Sequence, residues 1–176
     1  SEKVGVAIDL SPQSAAAWTL QGKIFNERRQ PRDALAAYYR ALGCSPENRE
    51  VLFALAETYR VMNDPQRALL KLQNLADTYQ AGDEPQNVLY LQGLALSALG
   101  RHADAASMLM VARERGPASP ELLYRLAEAE MQAGRLTAAR QSAEQVLAID
   151  PQHPLARTML ERLNVAQGPA AAAGLR

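Results

Sequence analysis

The sequence contains little of what disulfide-linked, metal-binding or strand-rich proteins need. Its single cysteine, Cys44, cannot form an internal disulfide or a cysteine-rich metal site. Phe, Trp and Tyr make up only 5% of the residues, and the aromatic and β-branched residues that favour strands are scarce. Because 19 basic residues balance 19 acidic ones, no net charge attracts nucleic acid or an anionic membrane surface.

Long hydrophobic runs are missing as well. No stretch of about 18 apolar residues occurs, so the sequence does not predict membrane insertion. The first residues also lack the apolar core of a signal peptide. The chain does not begin with Met, and we expect it to be a segment of a longer protein. The sequence therefore assigns no compartment: it favours a soluble protein of the cytoplasm and leaves export open.

Alanine and leucine, both strong helix formers, dominate the apolar residues and predict an all-α protein. Three sets of residues then repeat along the chain with one period and one three-residue insertion. The spacing is 34, 37 and 34 residues for the two sets of small residues, and 34, 71 and 34 for the prolines. The sets are Gly22, Ala56, Gly93 and Ala127; Ala34, Ala68, Ala105 and Ala139; and Pro12, Pro46, Pro117 and Pro151.

Each period predicts a hairpin of two antiparallel helices. In the first hairpin, a turn around Pro31 separates a helix over 16–27 from a helix over 32–42. We expect Gly43 to end the second helix in a left-handed conformation. We also expect the helices to cross closely where both residues are small, with Gly22 facing Ala34.

The period also predicts where the repeats begin and end. Residues 83–85 are the insertion, which we expect to be a longer polar loop or an extra helical turn. The predicted segments are the end of a preceding repeat or a cap helix at 1–13; repeats at 15–48, 49–82, 86–119 and 120–153; a capping helix at 154–165; and a linker or tail at 166–176.

The first repeat resembles the tetratricopeptide repeat family. Its residues occupy the characteristic positions of that family in order: Trp18, Gly22, Phe25, Ala34, Tyr38, Ala41 and Pro46. The fourth repeat departs from the pattern, with Glu130 at an aromatic position and Ala143 in place of a large residue. The resemblance implies a right-handed α-solenoid of stacked antiparallel hairpins, the tetratricopeptide superhelix.

Catalytic and metal-binding patterns are missing from the sequence. The two histidines, His102 and His153, lie in inter-helix turns, where we expect solvated side chains without a catalytic or ligand role. We expect Cys44 to be a partly buried small residue. No glycine-rich phosphate loop occurs, and we predict no enzyme activity, no cofactor and no metal site.

The resemblance implies that the first helices of successive repeats line a concave surface. Hairpin geometry places the second, fifth, ninth and twelfth residues of each first helix on that surface. The candidate partner-binding residues are Lys23, Asn26, Phe53, Glu57, Arg60, Tyr90, Leu94, Tyr124 and Glu128.

Three aromatic residues share one position on successive first helices. Phe53, Tyr90 and Tyr124 could form a strip that anchors a partner, or they could pack sideways against neighbouring hairpins as core. The two readings overlap. The charged residues counted on this surface sum to minus two, which suits a peptide with apolar anchors and modest positive charge.

These features predict a non-enzymatic scaffold that binds a protein or a peptide in its groove. One alternative is a targeting or substrate-docking arm of a larger enzyme, for example a transferase. A second alternative is a self-assembly module in which end hairpins stack between chains. We expect a monomer or a weak homo-oligomer, and the sequence does not identify the partner.

Overall fold

A computed structural model describes residues 14–166, and the regular secondary structure of that range is α-helix alone. The all-α class is therefore confirmed. The predicted preceding repeat or cap at 1–13 lies outside the described residues, as does the predicted tail at 166–176 apart from its first residue. The chain divides into two compact units, Ser1–Glu84 and Pro85–Arg176.

The described part of unit 1, residues 14–84, contains two helical hairpins. Three of these four helices begin with a side-chain cap: Ser14, Asn48 and Asp64 each accept a hydrogen bond from the backbone N–H three residues later. Both second helices begin with proline, whose missing N–H costs nothing in the first turn. The helices are α1 (Ala15–Glu27), α2 (Pro31–Cys44), α3 (Arg49–Val61) and α4 (Pro65–Ala76).

Unit 2 contains two more hairpins and a further helix. Ser119 caps the first helix of its second hairpin by accepting from the N–H of Leu122. The helix at 154–166 packs against the helix before it, so the last hairpin has a covered face. The helices are α5 (Gln86–Ala98), α6 (His102–Glu114), α7 (Pro120–Gln132), α8 (Leu136–Ile149) and α9 (Pro154–Ala166).

Every hairpin turn contains one residue in the left-handed conformation. These residues are spaced like the repeat itself, 34, 37 and 34 apart: Arg29, Asn63, Gly100 and Gly134. The prediction for Gly43 was wrong, because Gly43 lies inside α2 and has no positive φ. The left-handed residue therefore belongs to the turn within each hairpin.

The insertion at 83–85 belongs to a loop. The helix α4 ends at Ala76, and residues 77–85 have no helical conformation. Arg49, at the start of α3, holds the beginning of this loop: its Nε donates to the Thr78 hydroxyl at 2.9 Å, and its guanidinium lies 3.9 Å from the Tyr79 ring centre.

The glycines of the first helices make room for large side chains of the second helices. A Cβ on Gly22 would lie 2.4 Å from the Tyr38 ring, and a Cβ on Gly93 would lie 2.5 Å from Leu109. The atoms nearest to Gly22 therefore belong to Tyr38, four residues beyond the Ala34 that the sequence predicted. Tyr38 and Leu109 are almost fully buried.

The fourth hairpin uses another pair of residues at this contact. Ala127 stands where Gly22 and Gly93 stand, and Ala143 stands where the large side chains stand. Both alanines are 0% exposed and belong to one buried cluster. The fourth hairpin thus has two small side chains at this contact, where the first and third hairpins have glycine and a large side chain.

Gly134→Ala tests the left-handed turn. Nothing lies within 4 Å of a Cβ at this position, so the backbone strain of an L-residue at φ +76° acts alone. We expect a loss of about 1 kcal/mol in the free energy of unfolding. Gly43→Ala is the control: its Cβ also meets nothing, but the backbone is helical, and we expect a gain of about 0.5 kcal/mol. Urea denaturation followed by circular dichroism measures both, and equal shifts would contradict the assignment.

Gly93→Ala tests the contact with Leu109. The added methyl group overlaps the Leu109 side chain, and we expect a cost of about 1–3 kcal/mol. In a Leu109→Ala background, which itself costs about 2–5 kcal/mol, the same methyl group should cost little or nothing. Denaturation of the two single variants and the double variant gives the coupling. An unchanged cost in both backgrounds would show that Leu109 is not what Gly93 accommodates.

Candidate functional site

The first helices of unit 1, α1 and α3, present the predicted partner-binding residues next to one another. Lys23 on α1 forms an ion pair with Glu50 on α3, and both side chains are about half exposed. Thr19, which shares the repeat position of Phe53, is 5% exposed, and its hydroxyl donates to the Ala15 carbonyl at 2.7 Å. Phe53 is therefore the ring that this position contributes in unit 1, and it is half-buried.

Asn26 connects three helices through its side-chain amide. Its Nδ2 donates to the Thr58 hydroxyl on α3 at 2.9 Å and to the Tyr38 hydroxyl on α2 at 3.3 Å. The Thr58 hydroxyl in turn donates to the Ala54 carbonyl at 2.7 Å. Burial raises the pKa of Tyr38, whose hydroxyl accepts from Asn26 in this network. The amide nitrogen of Asn26 thus has a structural task between the hairpins.

A concavity of about 500 Å³ lies beside this network in unit 1. Three predicted site residues line it together: Asn26, Glu57 and Arg60. The sequence pattern missed the others, which come from the hairpin turn and from neighbouring positions of α3: Arg29, Pro31, Thr58 and Val61. A pattern confined to four positions per helix omits the turn, although turn residues border the same surface.

Tyr90 in unit 2 combines a core contact with an exposed edge. The half-buried ring packs against the cluster of Leu89, Ala112 and Leu122. It also lines a concavity of about 210 Å³ between the first helices α5 and α7. The other lining residues of that concavity are Gln86, Asn87, Ser119, Glu121 and Leu122.

Tyr124 lies deeper than the other two rings of the predicted strip. It is 9% exposed and belongs to the buried cluster that joins α7, α8 and α9. Its ring centre is 5.3 Å from that of His153. Because little of its area is exposed, the Tyr124 ring is mainly a core residue. Leu94, also predicted for the partner surface, is half-buried and does not line the concavity beside Tyr90.

The acidic residues of α7 are partly neutralised by an arginine that the pattern did not count. Arg125 Nε lies 2.8 Å from the Glu121 carboxylate, and Nη1 lies 3.2 Å from that of Glu128. In unit 1, Lys23 neutralises Glu50 in the same way, and Arg29 adds a positive charge at the turn. On the first-helix surface of unit 1, the charges of Lys23, Arg29 and Arg60 exceed those of Glu50 and Glu57 by one. The net charge of minus two, counted from four positions per helix, omits Arg29 and Arg125.

The structure places His153 and Cys44 differently from the sequence expectation. His153 is not a simply solvated turn residue, because its Nδ1 accepts from the Ala156 N–H at 3.2 Å and caps α9. The expectation for Cys44 was wrong, since this residue is exposed. Within residues 14–166, no three His, Cys, Asp or Glu side chains lie close enough together to hold a metal ion.

Two models of the tetratricopeptide repeat family match the sequence, one over residues 96–168 and one over residues 6–49. Together they cover more than half of the chain. The chain belongs to the tetratricopeptide repeat family. No curated protein matches the sequence. Among the helices of residues 14–166, none has the length and apolar character needed to cross a membrane.

Solved structures of tetratricopeptide proteins are similar to this chain in fold. YrrB, which has an unusual peptide-binding site, aligns with a TM-score of 0.82 at 20% identity over 93% of this chain and 82% of its own. MamA from Desulfovibrio magneticus RS-1 gives 0.82 at 18% identity over 90% and 88%. PilW, a type IV pilus biogenesis factor, gives 0.76 at 19% over 97% and 78%. These likenesses confirm the tetratricopeptide solenoid fold and nothing more specific.

The fourth tetratricopeptide repeat buries a carboxylic acid where the other repeats have Phe25, Tyr59 and Leu96. Glu130 is 8% exposed, and its carboxylate accepts a hydrogen bond from the Ser142 hydroxyl at 2.7 Å. Burial raises the pKa of Glu130, although the Ser142 hydrogen bond and the charges of two arginines oppose the shift. The folded repeat therefore holds the proton more tightly than the unfolded chain does.

Glu130→Gln should stabilise the protein at neutral pH. A raised folded-state pKa means that the stability contributed by Glu130 is complete below about pH 4.5 and is lost as the pH rises through the folded-state pKa. Glutamine still accepts from Ser142 but never ionises. The stability difference between variant and wild type should thus grow from acid to neutral pH, measured by urea denaturation at several pH values. Glu144→Gln, on the exposed face of α8, controls for the lost charge, and a pH-independent difference for Glu130→Gln would contradict the expectation.

Proposed function

We propose that this chain is a non-enzymatic interaction module that binds a segment of another protein on the first helices of its repeats. The observation that carries the proposal is the concavity of unit 1, where Asn26, Glu57 and Arg60 converge although they come from two repeats. Its volume of about 500 Å³ lies within the range of clefts that hold a ligand.

The walls of this concavity suit a peptide. Pro31 and Val61 supply apolar surface, and Val61 is 71% exposed, so its side chain is accessible to a partner. Arg29, Glu57 and Arg60 supply charged groups around that apolar patch. An apolar patch with a charged rim is the arrangement by which protein surfaces hold a side chain and orient its backbone.

Tyr90 provides a second anchor in unit 2. The adjacent concavity of about 210 Å³ has room for roughly one large side chain of a partner. A half-buried tyrosine offers a rigid apolar face and a hydroxyl while losing little conformational entropy on binding. Tyr90 is therefore the member of the predicted strip that we assign to binding, with Phe53 as its counterpart in unit 1.

The repeat family supports a role in binding. Tetratricopeptide repeats generally serve as interaction modules without catalysis, and YrrB, with the same fold, has a peptide-binding site. The nine predicted site residues contain no histidine, cysteine or serine, and the charged ones among them are surface groups.

Tyr90→Ala tests this proposal. Short random peptides displayed on phage are selected on the whole chain, and an enriched peptide is measured by fluorescence anisotropy. We expect Tyr90→Ala to raise the dissociation constant about thirtyfold, as loss of an interface anchor worth about 2 kcal/mol would. Tyr39→Ala removes an exposed ring from the second helix α2 and should leave binding unchanged.

Circular dichroism and thermal melting separate binding from folding in both variants. A lower melting temperature of Tyr90→Ala with unchanged affinity would assign Tyr90 to the core alone. Failure of the whole chain to enrich any peptide would remove the proposed function.

A further inference from the structure

Arg29 occupies a backbone position that ordinarily takes glycine or asparagine. Its φ is +59°, and the equivalent turn residues of the other three hairpins are Asn63, Gly100 and Gly134. A long side chain in this conformation costs about 1 kcal/mol or more relative to glycine. The first hairpin has this backbone strain, and its strained residue, Arg29, lines the concavity of unit 1.

Arg60 approaches the same concavity from the last turn of α3. Both arginines are exposed, and neither side chain has an ion-pair or hydrogen-bond partner among residues 14–166. The other basic residues within the described first helices have partners: Lys23 pairs with Glu50, Arg49 bonds to Thr78, and Arg125 pairs with Glu121 and Glu128. Two arginines whose side chains have no partner among residues 14–166 therefore line one cavity.

Among residues 14–166, Glu57 is the acidic residue that lines this concavity, so the described lining residues carry a charge of plus one. A carboxylate of a ligand would be attracted by the two arginines and repelled by Glu57. A basic group would be attracted by Glu57 and repelled by the two arginines. Guanidinium groups bind carboxylates through paired, charge-assisted hydrogen bonds, which are stronger than neutral ones. Charge complementarity therefore favours an acidic ligand over the basic peptide expected from the sequence.

We infer that the concavity of unit 1 binds an aspartate or glutamate side chain of the partner segment between Arg29 and Arg60. This inference rests on the proposed function and specifies the chemistry of the same site. The apolar surface of Pro31 and Val61 beside the arginines receives an apolar residue adjacent to the acidic one. The recognised segment is thus a short peptide stretch that combines one acidic and one apolar side chain.

The experiment uses the displayed random peptides described above, selected on the whole chain. The most enriched peptide is synthesised with its acidic residues intact and with each replaced by the matching amide. Arg29→Asn removes the charge while keeping a residue type that Asn63 shows to be compatible with this turn. Arg60→Gln and Glu57→Gln complete the set, and Arg67→Gln on the second helix α4 is the control for loss of an exposed arginine.

Four results are expected. The enriched peptides are acidic, and one amide replacement weakens binding about tenfold. Arg29→Asn and Arg60→Gln each weaken binding of the acidic peptide about tenfold, but not of its amide analogue. Glu57→Gln strengthens binding a few-fold, and Arg67→Gln leaves it unchanged. Binding weakens when ionic strength rises from about 0.01 M to about 0.15 M, where the Debye length falls from about 30 Å to about 8 Å.

The outcomes that overturn the inference are separate from those that overturn the proposed function. The inference would be wrong if the enriched peptides were neutral or basic. It would also be wrong if they bound Arg29→Asn, Arg60→Gln and wild type with the same affinity. In both cases the chain would remain a peptide-binding module. If no peptide were enriched, both the inference and the proposed function would be contradicted.

Discussion

The close contact within each hairpin is the constraint on which the other features of this protein depend. A first helix and a second helix approach so nearly that the side chains at two facing positions must share one volume. In the first and third repeats the glycine, Gly22 or Gly93, has no side chain, and Tyr38 or Leu109 fills the space. The fourth repeat has alanine at both positions, Ala127 and Ala143. The second repeat has Ala56 with Leu72 at the same positions, both buried, so the shared volume is divided differently from one repeat to the next.

The hairpin contact of unit 1 continues into a polar network and a cavity. Asn26 lies one helical turn after Gly22, and its amide bonds to the same Tyr38 that covers Gly22. Asn26 contributes to both, since its amide nitrogen joins Thr58 and Tyr38 while the residue lines the cavity. A satisfied polar network fixes the distance between successive first helices, and the cavity between them keeps a defined width.

Departures from the repeat pattern are found where a repeat has acquired a local task. Arg29 replaces a glycine or asparagine at the strained turn position and brings charge to the cavity. Glu130 replaces a large apolar residue and forms a buried hydrogen bond with Ser142, and burial raises its pKa. Sequences generally obey local rules where only stability is at stake and break them where another requirement intervenes.

The sequence by itself determined the helical class, the 34-residue period and the turns, because spacing, helix propensity and small residues act locally and recur four times. It also indicated the helix faces that carry Asn26, Glu57, Arg60 and Tyr90. Only the tertiary structure decided that Tyr124 is mainly core, that Arg125 neutralises Glu121 and Glu128, and that Arg29 joins Arg60 at one cavity. Burial and the reach of long side chains depend on neighbouring helices and turns, which a periodic pattern within one helix does not contain.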